Sequence, residues 1–199
     1  KHINVIHNEG DANMGLLEMC NKDAYNIIKK AVADGFNIAI TGGNNTGKSR
    51  IMRHIVGEID NRKTIGVYKT DTLSLLRQMY NTKSILRCSG DVLNKLQLAY
   101  VRDESTKGFG VIVMDNVIEK DLHKALDLNM GEVIFVLNSI DDRYETKLKI
   151  TSNNRGAINI RMSSDLDDGM HHVSQIDKLT GISGQGFRVE TVYNKEKGS

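Results

Sequence analysis

The stretch Gly42-Gly43-Asn44-Asn45-Thr46-Gly47-Lys48-Ser49 constrains this chain more than any other. It satisfies the pattern G-x-x-x-x-G-K-[ST] at every fixed position. The apolar run from Phe36 to Thr41 precedes it and reads as a buried strand. After it, Ile51, Ile55 and Ile59 recur on one helical face, with Met52 and Val56 beside them. Strand, glycine loop and helix in that order give the pattern a mechanism. Glycines let the backbone close around a phosphate with no Cβ in the way. Successive N–H groups and the helix N-terminus then point at the anion. Lys48 is placed to reach the β and γ phosphates of a nucleotide, and the Ser49 hydroxyl to hold Mg²⁺. The alternative is a Gly/Asn turn that binds nothing.

At 199 residues, with 39% apolar and 26% charged residues, the chain is long enough for one soluble domain with a real core, plus at most an appendage. No run approaches the roughly 20 apolar residues of a membrane span, and no secretory signal pattern opens the sequence. A net charge of +2 gives no support for direct nucleic-acid binding. Cys20 and Cys88 form no C-x-x-C pair, which points to a reduced, cytoplasmic protein. Lys1 is not a start methionine, so the chain is expected to begin inside a longer protein.

Residues 1–13 read as a short N-terminal strand or the remnant of an upstream domain. His2 and His7 there lack other ligands at metal spacing. Residues 14–193 read as one nucleotide-binding domain, and 194–199 as a tail. Asn21-Lys22-Asp23 is placed to cap a helix carrying Ala24, Ile27, Ile28, Ala31 and Val32 inward, which Gly35 ends. Thr64–Tyr68 is a second strand. Asp71 beyond it either faces the ligand crevice at the strand's end or caps the helix that follows. Val92, Leu96, Ala99 and Tyr100 mark a further helix over 90–102. Arg102 closes it, either reaching a nucleotide in this subunit or the next, or simply solvated.

Phe109-Gly110-Val111-Ile112-Val113-Met114-Asp115 is the second diagnostic stretch: an apolar strand ending in Asp, the form that coordinates Mg²⁺ in phosphate-loop NTPases. Ile118, Leu122, Ala125 and Leu126 then mark a helix, and Glu132–Leu137 another strand. At that strand's tip Asn138-Ser139 is either a γ-phosphate sensor or a turn. From 157 onward strands follow one another across Asp/Gly turns, an antiparallel ending on a mostly parallel sheet. His171 and His172 are adjacent, so in a strand they point to opposite faces and make a poor joint metal site.

This arrangement resembles the secretion, type IV pilus and conjugation ATPases. The resemblance covers roughly residues 14–193. It is carried by Ala31 through Gly43 and by Ser164 through Ile176, which is similar to that family's Gly-Arg-Arg hairpin, with Leu179-Thr180-Gly181 and Phe187–Tyr193 after it. The resemblance implies a RecA-like α/β phosphate-loop domain: a mostly parallel sheet flanked by helices, with an antiparallel C-terminal extension. It also implies a hexamer that binds ATP and Mg²⁺ and works with membrane-embedded components of a secretion, pilus or transfer apparatus, peripheral at the inner face of the cell membrane. The family's N-terminal domain, against which ATP binds, has little room before residue 14.

Three boxes depart from the family. Thr70-Asp71 stands where a Glu-Asp pair is usual, Asp115-Asn116 where Gly-Glu is usual, and Glu132 and Asn138 at the two histidine positions. Arg102 fits the arginine before the second motif. The expected site is therefore Gly42 through Ser49 for the nucleotide and Ser49 with Asp115 for the metal. Asp115, Asn116, Asp71 and Arg102 are the catalytic candidates. Asn116 cannot take a proton as a carboxylate can. A nucleotide-binding regulatory or structural subunit with little hydrolysis is thus the alternative to a motor. A small-molecule kinase is disfavoured, because no arginine cluster marks a lid.

Overall fold

Strands buried on both faces must be apolar on both faces, and four short runs meet that demand. Val111–Met114 and Val133 to Val136 are buried along their whole length, as are Ile38 to Ile40 and Ile65 to Val67. The computed structural model describes residues 15–101, 109–128, 132–152, 155–165, 169–184 and 186–197. A helical turn at 15–19 leads into α1 (Lys22–Ala33), β1 (Asn37–Gly42), α2 (Lys48–Gly57), β2 (Thr64–Val67) and α3 (Thr70–Met79). Then come β3 (Ser84–Arg87), α4 (Gly90–Val101), β4 (Val111–Met114), α5 (Glu119–Asp127), β5 (Glu132–Val136) and α6 (Tyr144–Ile150). The chain closes with β6 (Ala157–Ser164), β7 (His171–Ile182), β8 (Gly186–Asn194) and one 3₁₀ turn at Lys195–Lys197.

The eight strands among the described residues join one sheet in the order β3-β2-β4-β5-β1-β6-β7-β8. Every pairing from β3 to β6 is parallel, while β7 and β8 are antiparallel to their neighbours. The antiparallel part therefore starts one strand later than the sequence reading has it, because β6 is itself a parallel neighbour of β1. This is the mixed α/β class, parallel at its centre, that the sequence reading expects.

The two-residue period of the strands sorts side chains to two faces. Ile38, Ile40, Ile65, Val113 and Ile134 share one core cluster with residues of α1, α2 and α3. Ala39, Ile112, Met114 and Phe135 share the other with Leu93, Leu122, Ala125 and Ile150 of α4, α5 and α6. The sheet is thus covered by three helices on each face.

Local signals explain the boundaries. Asn21 caps α1 by accepting from the Ala24 N–H at 3.0 Å. Gly35, at φ 71°, turns the chain out of that helix. Asn37 is a polar residue at the start of a buried strand. Its amide donates to the Ile150 carbonyl at 3.1 Å, and its carbonyl accepts from the Val133 N–H at 2.9 Å. The expected inner faces hold with two changes. In α4 the fully buried position is Leu93, while the side chains of Ala99 and Tyr100 lie outside the described residues. Ile118 lies outside α5 at its N-cap and is 61% exposed.

No helix among the described residues is long and apolar enough to cross a membrane.

Candidate functional site

β1 ends at Gly42, and the chain must enter α2 six residues later. Gly42 at φ 141° and Gly47 at φ 82° adopt backbone that side chains rarely permit. A Cβ on Gly42 would stand 2.4 Å from the Met162 carbonyl oxygen, and one on Gly47 2.8 Å from the Cβ of His171. Asn45 between them takes φ 56°, a left-handed conformation that Asn tolerates better than most residues. Thr46 donates its hydroxyl to the Gly43 carbonyl at 2.9 Å and closes the turn. Gly47 caps α2 without a side-chain hydrogen bond, so the first N–H groups of the helix remain open to a ligand. A concave run of backbone N–H groups at a helix start is an anion cradle.

Lys48 opens α2 and is only 8% exposed. Its ammonium donates to the Gly42 carbonyl at 2.9 Å and to the Gly43 carbonyl. Burial lowers its pKa, and the Asp115 carboxylate opposes that shift. An ammonium held by neutral carbonyls gains more from a charged phosphate oxygen, because a charge-assisted hydrogen bond is the stronger one.

Ser49 faces the other way. Its hydroxyl donates to Asp115 Oδ1 at 2.8 Å, joining α2 to the end of β4 across 66 residues of sequence. A hydroxyl and a carboxylate are hard oxygen donors, the set that suits Mg²⁺. The residues therefore fit both groups: the loop fits an anion, and Ser49 with Asp115 fits a small divalent cation.

The loop opens on a cleft of about 600 Å³, a volume suited to a small organic ligand. Its lining includes Lys48, Arg50, Arg53 and His171, with the amides of Asn44, Asn45, Asn116 and Asn138. Among the described residues, none that lines it is a carboxylate. Glu18 offsets one cation by pairing with Arg50 at 3.4 Å, both groups being largely exposed.

The structure brings together most of the sequence candidates. Gly42 through Ser49 form the loop, Asp115 meets Ser49, and Asn116, at φ 47°, lines the cleft. Asn138, at the tip of β5, lines it as well, and its carbonyl accepts from the Gly42 N–H at 3.0 Å. Asp71 is not in the lining. It lies exposed in the first turn of α3, and β2 stands three strand spacings, roughly 14 Å, from β1. Lys69, not Asp71, occupies the N-cap of α3. Glu132 is at the opposite end of β5 from Asn138, roughly 20 Å along the strand. Arg102 lies outside the described residues, as does the segment 1–13.

Arg50, Arg53 and His171 were not singled out from the sequence as site residues. For Arg53 the signal was available, since a side chain one turn beyond Ser49 on α2 shares its face; Arg50, the residue next to Ser49, carried no such signal. Nor was it available for His171, because only the sheet order brings β7 near the loop.

No protein-family model and no curated protein matches the chain. Solved structures do. The VirB11 ATPase from the Brucella suis type IV secretion system, determined in complex with sulphate, is similar with a TM-score of 0.54 at 14% identity, over 88% of this chain and 58% of that one. The flagellar accessory protein FlaH from Methanocaldococcus jannaschii gives 0.41 at 17% identity, over 83% of this chain and 81% of that one. The pilus retraction motor PilT with bound ADP gives 0.41 at 13% identity, over 84% and 52%.

The fold is the one seen in the VirB11 structure, a mostly parallel sheet flanked by helices with an antiparallel ending. Within that class, the resemblance to secretion and pilus ATPases read from the sequence holds at the level of the fold. The chain spans little more than half the length of the VirB11 structure.

Proposed function

We propose that this chain is the ATP-binding domain of a motor subunit serving a secretion, pilus-assembly or conjugative transfer machine. The observation that carries the reading is the Ser49–Asp115 contact beside a buried Lys48 in a glycine cradle. Lys48 and the α2 N–H groups hold the phosphates, while Ser49 and Asp115 hold Mg²⁺. The cation supplies charge neutralisation on the phosphate chain when bound. Arg50 and Arg53 add positive charge along the same cleft. Closure between neighbouring copies in a hexamer, with Arg102 reaching the nucleotide, converts binding into movement. The protein acts in the cytoplasm, peripheral to the inner face of the membrane, beside membrane-embedded partners.

A second reading is a nucleotide-binding regulatory or structural subunit with little turnover. Asn116 favours it: an amide lines the cleft where the family resemblance implies a glutamate.

One experiment serves both. ATP binding and phosphate release are measured for the wild type and Lys48→Ala. The proposal expects binding that the substitution abolishes; undiminished binding in Lys48→Ala refutes the assigned loop. Turnover near 1 s⁻¹ in the assembled wild type, at the low end of the usual range of roughly 1–10³ s⁻¹, excludes the second reading.

A further inference from the structure

We infer that His171 is a ligand-contacting residue of the cleft, a hydrogen-bond donor to phosphate delivered by β7 and held in place by Ser164. The inference rests on the nucleotide reading of that cleft. Ser164 and His171 are register partners on β6 and β7, so their side chains share a face of the pair. The Ser164 hydroxyl lies 3.1 Å from His171 Nδ1 and donates to the Asn45 carbonyl of the loop at 3.4 Å. A hydroxyl has one proton. With that proton on the Asn45 carbonyl, the Ser164 oxygen must accept from His171 Nδ1–H. That arrangement puts the ring proton on Nδ1 and leaves Nε2 as the ring's remaining polar atom.

Close packing fixes the side chain against the loop. A Cβ at Gly47 would lie 2.8 Å from His171 Cβ. Gly47 thus makes room for His171 as well as for the ligand, and the β6–β7 pair braces the cradle from behind.

In that tautomer the neutral ring presents only a lone pair at Nε2, which meets a phosphate oxygen poorly. The imidazolium donates from both nitrogens. A bound phosphate therefore favours the protonated ring, and by linkage protonation favours the bound phosphate. The charged groups around His171 among the described residues are Lys48, Arg50 and Arg53 across the cleft. On its other side are Glu18, Asp165, His172 and Lys195. Of these only His172 is another imidazole. It pairs with Asp165 at 3.4 Å and does not line the cleft.

The test measures dissociation constants for ADP and ATP with Mg²⁺ at pH 5.5, 6.5 and 8. The proteins are the wild type, His171→Gln, Ser164→Ala, His172→Gln and Lys48→Ala, with thermal melts confirming that each is folded. The nucleotide's own titration is common to all and cancels in the ratios. His171→Gln is expected to bind about tenfold more weakly than wild type at pH 5.5, the loss of one charge-assisted hydrogen bond, and within about twofold at pH 8. Ser164→Ala falls between them, and His172→Gln keeps the wild-type profile. Wild-type affinity with the wild-type pH profile in His171→Gln overturns the inference, and so does a loss equal at every pH, which signals packing alone. If Lys48→Ala loses binding while His171→Gln does not, this inference fails and the nucleotide reading stands. If the wild type binds neither nucleotide, both fail.

Discussion

Replacing Glu132 by Gln should remove most of the pH dependence of stability between about pH 5 and pH 8. The Glu132 side chain is fully buried at the start of β5, and neither carboxyl oxygen has a hydrogen-bond partner among the described residues. Lys63 stands 3.5 Å away, too far for a good hydrogen bond. Burial raises the Glu132 pKa from 4.5 to about 8, outweighing the opposing attraction of Lys63 and Arg155. Folded-state pKa above unfolded-state pKa means that the native chain keeps a proton the unfolded chain releases. The stabilising contribution is thus complete below pH 4.5 and is lost as pH rises towards 8. At about 1.36 kcal/mol per pH unit, the loss across that window is about 5 kcal/mol. Gln has nearly the same shape and never ionises, so the variant should match wild type near pH 5 and be more stable by several kcal/mol at pH 8. With a urea slope of about 2 kcal/mol/M, the midpoint difference should open by about 2 M. Urea titrations of both proteins at half-unit pH steps read this directly. Parallel stability curves from pH 5 to pH 8 would show that Glu132 is already charged in the folded chain, and the desolvation argument would fall.

Two further outcomes follow from other contacts. Arg161 donates to Asp141 at 2.8 Å and to the buried Asp177 at 3.2 Å, and Asp177 also accepts from Gln175 and Thr191. Arg161→Met should cost about 3 kcal/mol in urea unfolding, and adding Asp177→Asn should recover most of it; no recovery would place the loss in packing instead. Gly47→Ala forces a Cβ into φ 82° and against His171, so it should lower stability by about 1–2 kcal/mol. It should also weaken ATP binding, and a calorimetric titration unchanged from wild type would refute the tight fit at Gly47.

Much of the parallel half was legible from periodicity. Ile51, Met52, Ile55, Val56 and Ile59 are all buried, as the spacing implies, because α2 packs on the sheet along a single stripe. β3 was missed for a physical reason. Only Ile85 of its four residues is buried, since β3 is an edge strand with little core to face. α6 was missed because its two buried positions are Thr146 and Ile150, too few for a helical stripe to show. Ile118 was misplaced because periodicity cannot distinguish an N-cap from the first inward position.

The site divides along the same line. Local chemistry, meaning a glycine loop and an acidic strand end, was readable as a string, and the Ser49–Asp115 contact joins the two strings in space. Contributions from across the sheet were not readable, which is why His171 emerges only from the β6–β7 register. The same geometry bears on turnover. Asp115 is the carboxylate joined to the loop, and on the reading proposed above it is occupied by the metal. A carboxylate that binds a cation is a weaker base, because the cation's charge disfavours protonation. Asn116 and Asn138 can orient water through hydrogen bonds but cannot take its proton. On that reading the cleft holds a nucleotide, and fast hydrolysis in it requires a base delivered from elsewhere, as closure against a neighbouring copy would do.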